Sequence, residues 1–107
     1  VIGMSLYPED DNWQKATDDC LANISTLASR YNTKVMICEI GMPWDSDNAD
    51  VMMKKMVDGC KAKTECLGIF YWEPECYGGW NGYNKGAFDS NGKPTAVLDA
   101  FGSNVVK

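Results

Sequence analysis

Apolar and polar positions along the chain fall into two kinds of run that alternate. Val1 to Tyr7 is a mostly apolar segment closed by Pro8 and followed by the acidic cluster Glu9-Asp10-Asp11. That pattern predicts a buried strand ending in a loop. From Trp13 to Tyr31 the apolar residues recur at Trp13, Ala16, Cys20, Ile24, Leu27, Ala28 and Tyr31, with Asp18, Asp19, Asn23 and Arg30 mostly on the other side. This is helical spacing. Val35-Met36-Ile37-Cys38 is a second continuous apolar run, ending at Glu39, after which Gly41, Pro43 and Asp45 to Asp47 make a loop. A second helix is predicted from about Asn48 to Lys61, with Met52, Met53, Met56, Val57 and Cys60 as a stripe that reads as core. Leu67 to Trp72 is a third predicted buried strand, again ending at a carboxylate, Glu73, before Pro74. A loop from Glu75 to Lys93 follows, and Pro94 opens a short helix over Thr95 to Phe101.

Continuous apolar strands alternating with amphipathic helices predict an α/β fold, a parallel sheet covered by helices with right-handed crossovers. The longest apolar stretches are a handful of residues, so none is expected to span a bilayer. The chain begins at Val1, inside what reads as a strand, and is expected to be a piece of a longer protein.

Composition narrows the chemistry. Fifteen acidic residues against 10 basic ones give a net charge of −5. An acidic surface repels a phosphate backbone, which argues against nucleic-acid binding through a basic groove. There is no histidine, which removes Ser-His-Asp and Cys-His nucleophiles and most catalytic zinc sites. Acid–base chemistry is left to carboxylates, Cys, Tyr or Lys. The five cysteines form no C-x-x-C pair, and their odd number leaves at least one unpaired within the chain. Cys60 and Cys66 flank a short connection and could be bridged in a secreted protein. Cys20 and Cys38 read as buried thiols behaving as small hydrophobes.

The unusual residues gather where strands end. Tyr7, Glu9 and Asp10 follow the first strand, Glu39 and Trp44 the second, and Trp72, Glu73 and Glu75 the third. Ligands of parallel α/β folds bind at that edge of the sheet. Glu39 sits where a strand surfaces into a cleft, a good position for a nucleophile or general acid/base, or for a carboxylate accepting loop amide hydrogen bonds. Trp72 can stack on a sugar ring or pack under a loop. Tyr77, Trp80 and Tyr83, in a Gly- and Asn-rich loop, suit a sugar platform. The acidic cluster at 9–11 reads as solvated or as a helix cap, with no D-x-D-x-D-G calcium loop. Asn23-Ile24-Ser25 matches a glycosylation tripeptide but falls inside a predicted helix.

These residues resemble a known family. Val1-Ile2-Gly3-Met4-Ser5-Leu6-Tyr7-Pro8 resembles the sixth-strand segment of glycoside hydrolase family 53, the arabinogalactan endo-β-1,4-galactanases. The stretch Leu21 to Tyr31 is similar to the helix that follows, and Val35 to Gly41 (VMICEIG) to the seventh strand. Gly68-Ile69-Phe70-Tyr71-Trp72-Glu73-Pro74 resembles the eighth strand, and Asn84 to Asp89 with Gly92 the closing element. The resemblance implies the last three βα units of a (β/α)₈ barrel, a fold that takes ~250 residues.

It further implies a secreted or periplasmic retaining glycosidase acting on the galactan side chains of pectin. Glu39 matches the nucleophile, Trp72 the substrate floor and Tyr7 the tyrosine beside the nucleophile. Trp44, Glu73, Trp80 and Asn84 are expected to bind substrate, Glu73 and Asn84 with a structural role as the other option. No cofactor and no metal is implied. The family's acid/base glutamate follows the fourth strand, and nothing in this sequence resembles that segment. The 107 residues by themselves are therefore expected to be inactive and, as an open three-stranded sheet, to self-associate. A non-catalytic carbohydrate-binding module and a small α/β interaction domain are the other readings of the same residues.

Overall fold

The structure, a computed structural model, describes residues 1–102. Three parallel strands form one sheet in the order of the chain: β1 (Ile2–Leu6), β2 (Val35–Ile40) and β3 (Cys66–Ile69). Helix α1 (Trp13–Tyr31) connects β1 to β2, and α2 (Ala49–Lys61) connects β2 to β3. The helices pack on each other and on the strands, leaving the other face of the sheet without a helix among the described residues.

The core lies between that helix layer and the sheet. Val35, Ile37 and Ile40 of β2 are fully buried and meet Met52, Met53 and Met56 of α2 and Ile24 of α1. The methionine stripe is therefore core, as its spacing predicts. Each such side chain withdrawn from water contributes ~1.5–3 kcal/mol. On α1 the buried residues are Trp13, Thr17, Cys20 and Ile24. Thr17 is absent from the predicted stripe; its buried hydroxyl donates to the carbonyls of Trp13 and Gln14, both at 2.9 Å, which satisfies it. Tyr31, placed in that stripe by spacing, is exposed because the helix ends there. Asn32 takes φ 47° and returns its N–H to the carbonyl of Ala28, a left-handed cap.

Three expectations about the strands change. None of the strands is buried on both faces. In β1, Ile2, Met4 and Leu6 pack on the core while Gly3 and Ser5 are exposed. In β2, Cys38 is exposed rather than buried; Cys20 is buried. The strand predicted from Leu67 to Trp72 is regular only over Cys66–Ile69, and Leu67, Phe70 and Trp72 are 50%, 62% and 44% exposed. Those three large side chains mark the sheet face that no helix covers.

The predicted closing helix at 95–101 is a single 3₁₀ turn, Ala96–Leu98, running into the four-residue α3 (Asp99–Gly102). Pro94 is outside it and bridges Phe88 instead. Cys60 and Cys66 form a disulfide between the last turn of α2 and the first residue of β3.

Two register shifts bend the sheet. Met4 pairs with Ile37 but Ser5 with Glu39, so Cys38 is an unpaired extra residue in β2. Between β2 and β3, Val35 pairs with Cys66 and Ile37 with Ile69, and Gly68 in the extra stretch takes φ 152°.

Candidate active site

The β2 bulge decides where Glu39 goes. Side chains alternate along a regular strand, so Glu39 would follow Val35 and Ile37 into the helix-covered core. The extra residue at Cys38 reverses that order. Ile40 is buried instead, while Glu39 is half-buried at the mouth of the sheet.

Glu39 Oε2 there accepts a 2.7 Å hydrogen bond from the hydroxyl of Tyr7, the residue that follows β1. Among the described residues Oε1 accepts no hydrogen bond. Burial raises the Tyr7 phenol well above its ordinary range, and the Glu39 carboxylate it bonds raises it further. A phenol held protonated is a permanent donor, so the Tyr7 hydroxyl fixes one of the two carboxylate oxygens. Lys85 Nζ pairs with Glu9 at 2.6 Å and stands 5.8 Å from the centre of the Tyr7 ring, a cation–π contact that locks the ring from its outer side.

The loop after β3 completes the site's walls. Trp72 N–H donates to Ile40 C=O at 3.0 Å, carrying the pairing beyond β3. Glu73 then takes φ 51° directly before Pro74, a left-handed backbone at a position that favours extended geometry. Such strain costs ~1–3 kcal/mol and persists only where the surroundings impose it. Here the Cys76 N–H donates to Glu73 C=O at 3.2 Å and the Cys76 thiol to Glu73 Oε2 at 3.4 Å. Burial raises the Cys76 thiol, and the carboxylates of Glu73 and Glu75 add to this.

The segment 83–87 returns under the strand ends. Trp44 N–H donates to Asn84 C=O, Tyr71 O–H to Lys85 C=O and Ala87 N–H to Pro74 C=O, at 3.0, 2.9 and 2.7 Å. The Tyr83 hydroxyl donates to Trp72 C=O at 3.1 Å.

The residues singled out in the sequence fall into three places. Tyr7 and Glu39 are joined, and the Trp72 backbone is tied to the same strand end through Ile40. Glu73 and Trp80 line an open cleft of about 560 Å³ with Glu75, Cys76, Tyr77 and Gly78. That volume is in the range of small-molecule sites, and the lining Tyr77 and Trp80 are both exposed. Glu39 does not line it, so the cleft and the Tyr7–Glu39 pair are separate features of the same end of the sheet. Trp44 lies apart, in a shallow groove with residues 45–47, 49, 50 and 95–97. Asn84 meets Trp44 through its backbone carbonyl.

The acidic cluster is structural rather than simply solvated. Asp10 accepts hydrogen bonds from Ser46 and Asn48, joining the first and second strand-end loops, and Asn12 Oδ1 receives the Glu9 N–H. Sequence reasoning missed Lys85 and the position of Tyr83, whose only local sign was a tyrosine amid turn residues. Among the described residues no group of His, Cys, Asp and Glu is placed to hold a metal ion, and no helix is long and apolar enough to cross a membrane.

A family model described as glycosyl hydrolase family 53 matches residues 1–59. The matched stretch takes in β1, α1, β2 and most of α2, hence both Tyr7 and Glu39. Comparison with curated proteins gives no match.

Proposed function

The chain belongs to glycosyl hydrolase family 53, and on that premise we propose that it serves a retaining endo-β-1,4-galactanase with Glu39 as nucleophile. Membership in the family makes the protein a glycoside hydrolase; the substrate and the roles of residues are our reading. The observation that carries it is the Tyr7–Glu39 hydrogen bond at the bulged end of β2. In this reading Glu39 Oε1 attacks the anomeric carbon as the glycosidic C–O bond breaks, giving a glycosyl ester, while a second carboxyl group protonates the leaving oxygen, which departs as a hydroxyl of the other sugar. Water then attacks the same carbon, giving a proton back to that second carboxylate, which releases the sugar and restores the Glu39 carboxylate. Trp72, Tyr77 and Trp80 offer rings to galactose units and Glu73 a carboxylate to their hydroxyls, while Trp44, in its separate groove, and Asn84, which meets Trp44 through its backbone, would reach only a longer substrate.

Retaining hydrolysis needs a second carboxyl group ~5–5.5 Å from the first to protonate the leaving oxygen. Glu73 is poorly suited, since its Oε2 is engaged by Cys76 and its backbone is held in the left-handed region. We assign the acid to a strand of the parent enzyme other than β1–β3. The uncovered sheet face bearing Gly3, Ser5, Cys38 and Glu39 is then a wall of a (β/α)₈ barrel interior. The Cys60–Cys66 disulfide supports export to an oxidising compartment.

A leaving group of low pKa departs without protonation, so an activated substrate isolates the role of Glu39 from that of the missing acid. Incubation with 2,4-dinitrophenyl 2-deoxy-2-fluoro-β-galactobioside should add one fluorinated galactobiosyl group to the peptide containing Glu39, with release of dinitrophenolate, read by mass spectrometry. Glu39→Gln should abolish the adduct and leave galacto-oligosaccharide binding in place. Binding without any adduct, unchanged in Glu39→Gln, would favour the carbohydrate-binding module instead. Absence of both adduct and binding would overturn the carbohydrate reading altogether.

A further inference from the structure

Two turns in the loop after β3 build the open cleft. Tyr77 C=O accepts the Trp80 N–H at 3.3 Å, and the two residues between them, Gly78 and Gly79, take φ 64° and 73°. Two successive left-handed residues make a turn that glycine adopts without steric cost. Tyr77 and Trp80 therefore stand at the two ends of one tight turn, both exposed and both lining the cleft of about 560 Å³. The Tyr77 ring rests on Gly92, where a Cβ would stand 3.0 Å from Tyr77 Cζ and 3.1 Å from Cε2. Asp89 holds that second turn, its Oδ1 accepting the N–H groups of Asn91 and Lys93 at 2.9 and 3.0 Å.

The rest of the lining carries one sign of charge. Glu73 and Glu75 line the cleft, and among the described residues no lysine or arginine does. Neither carboxylate is paired with a cation among those residues. Lys93, beside Gly92, is outside the lining, and Lys85 is engaged by Glu9 and the Tyr7 ring. The Cys76 thiol in the cleft wall senses the result: after burial and its hydrogen bond to Glu73, the charges of Glu73 and Glu75 both push it up.

We infer that this cleft is a subsite for an uncharged sugar unit, in which Glu73 and Glu75 are specificity-determining residues that turn away uronates. An ionised carboxylate is an acceptor only. It takes a hydroxyl proton from a neutral sugar and repels a second carboxylate, and no cation in the lining offsets that repulsion. The inference rests on the carbohydrate reading of this end of the sheet. Each like charge a few ångströms away in an open, wet cleft weakens binding by roughly three- to fivefold, so the pair disfavours a uronate by about tenfold.

The test varies charge at constant sugar shape. The protein has four tryptophans, each with one indole N–H resonance, and Trp80→Phe assigns the Trp80 line. Three probes are titrated against it: methyl β-galactopyranoside, the matching methyl β-galacturonide, and the uncharged methyl ester of that galacturonide. In ~0.01 M salt the galactoside and the ester should move the Trp80 line at similar concentrations, and the galacturonide should need about ten times more. The gap should close at ~1 M salt, where the Debye length is ~3 Å. Glu75→Gln, at an exposed position, should narrow it to roughly threefold. A galacturonide that binds as well as the galactoside in low salt overturns the inference. So does an ester rejected as strongly as the acid, which marks shape rather than charge, or a gap untouched by Glu75→Gln. A Trp80 line unmoved by the galactoside while the Glu39 adduct forms also overturns it and leaves the functional reading standing. Charge-selective binding without any adduct does the reverse: it strikes Glu39 as nucleophile and upholds the selectivity of the cleft.

Discussion

Reducing the Cys60–Cys66 disulfide perturbs the fold at one defined joint. The bond closes a loop between residues six apart, tying the last turn of α2 to the start of β3 with a Cα–Cα distance of 5.4 Å. Its main effect is on the unfolded chain, where it removes ~7.5 cal/mol/K of loop entropy, or ~2 kcal/mol at 25 °C. A chain of 107 residues unfolds with an entropy of ~0.22 kcal/mol/K, so ~2 kcal/mol corresponds to a melting shift of ~10 °C. The loss should fall on the α2–β3 joint, where Lys63 bonds Ser25 and Ser25 bonds Glu65 at 2.9 and 2.7 Å.

Thermal unfolding followed by circular dichroism, with and without dithiothreitol, measures the shift. Thiol titration in denaturant should count three free cysteines before reduction, Cys20, Cys38 and Cys76, and five after it. Cys60→Ala with Cys66→Ala should behave like the reduced protein, with a further small loss because Cys60 is buried. A melting midpoint that moves by less than ~2 °C while the thiol count rises from three to five would refute the entropy argument.

Gly86→Ala should cost ~1–3 kcal/mol by overpacking, since its Cβ would stand 2.1 Å from the Cys76 carbonyl oxygen beside the 2.7 Å Ala87–Pro74 hydrogen bond; urea unfolding checks it. Glu73→Gly should raise the melting point by relieving the left-handed backbone before Pro74, whereas Glu73→Val should lower it. Ser46 and Asn48 hold the Asp10 carboxyl below its ordinary range, so its contribution is present above the unfolded pKa and fades as pH falls through the folded one. Asp10→Asn should therefore melt lower than wild type at pH ~7, with the difference closing below pH ~4. The isolated chain should self-associate through the face carrying Leu67, Phe70 and Trp72; sedimentation velocity should show the oligomer dissolving in Phe70→Glu, and a monomeric wild type across a concentration series would contradict it.

Helices were the most legible part of the chain. Trp13 to Tyr31 and Ala49 to Lys61 match their predicted spans because their stripes are long and each meets an opposing layer. Strand order followed from the alternation of elements. Depth of burial did not, because a continuous apolar run such as Leu67 to Trp72 looks the same whether one face or two are covered. Cys38 illustrates the confusion: a small apolar residue in an apolar run, it stands on the open face with its Sγ where a side chain on Gly3 would be. The loop after β3 was legible as aromatic and turn-rich but not in its path. That path depends on long-range bonds such as Trp44 to Asn84 and Lys85 to Glu9, which have no local pattern.

The site itself turns on a parity that composition hides. Val35, Met36, Ile37 and Cys38 are all apolar, so nothing in their order says which of them faces the helices. Strict alternation would direct Glu39 into a core of methionine, isoleucine and valine, where an unpaired carboxylate costs several kcal/mol. A chain with that sequence has two escapes: to neutralise the glutamate or to break the alternation. It breaks the alternation at Cys38, and the one-residue bulge brings Ile40 into the core and Glu39 out to Tyr7 in the same step. The energetic demand of the core and the chemical demand of the site are thus met by one irregularity. A carboxylate directly after an apolar strand is legible as a candidate, but its partner becomes visible only when the register is known, since Tyr7 and Glu39 are 32 residues apart in sequence.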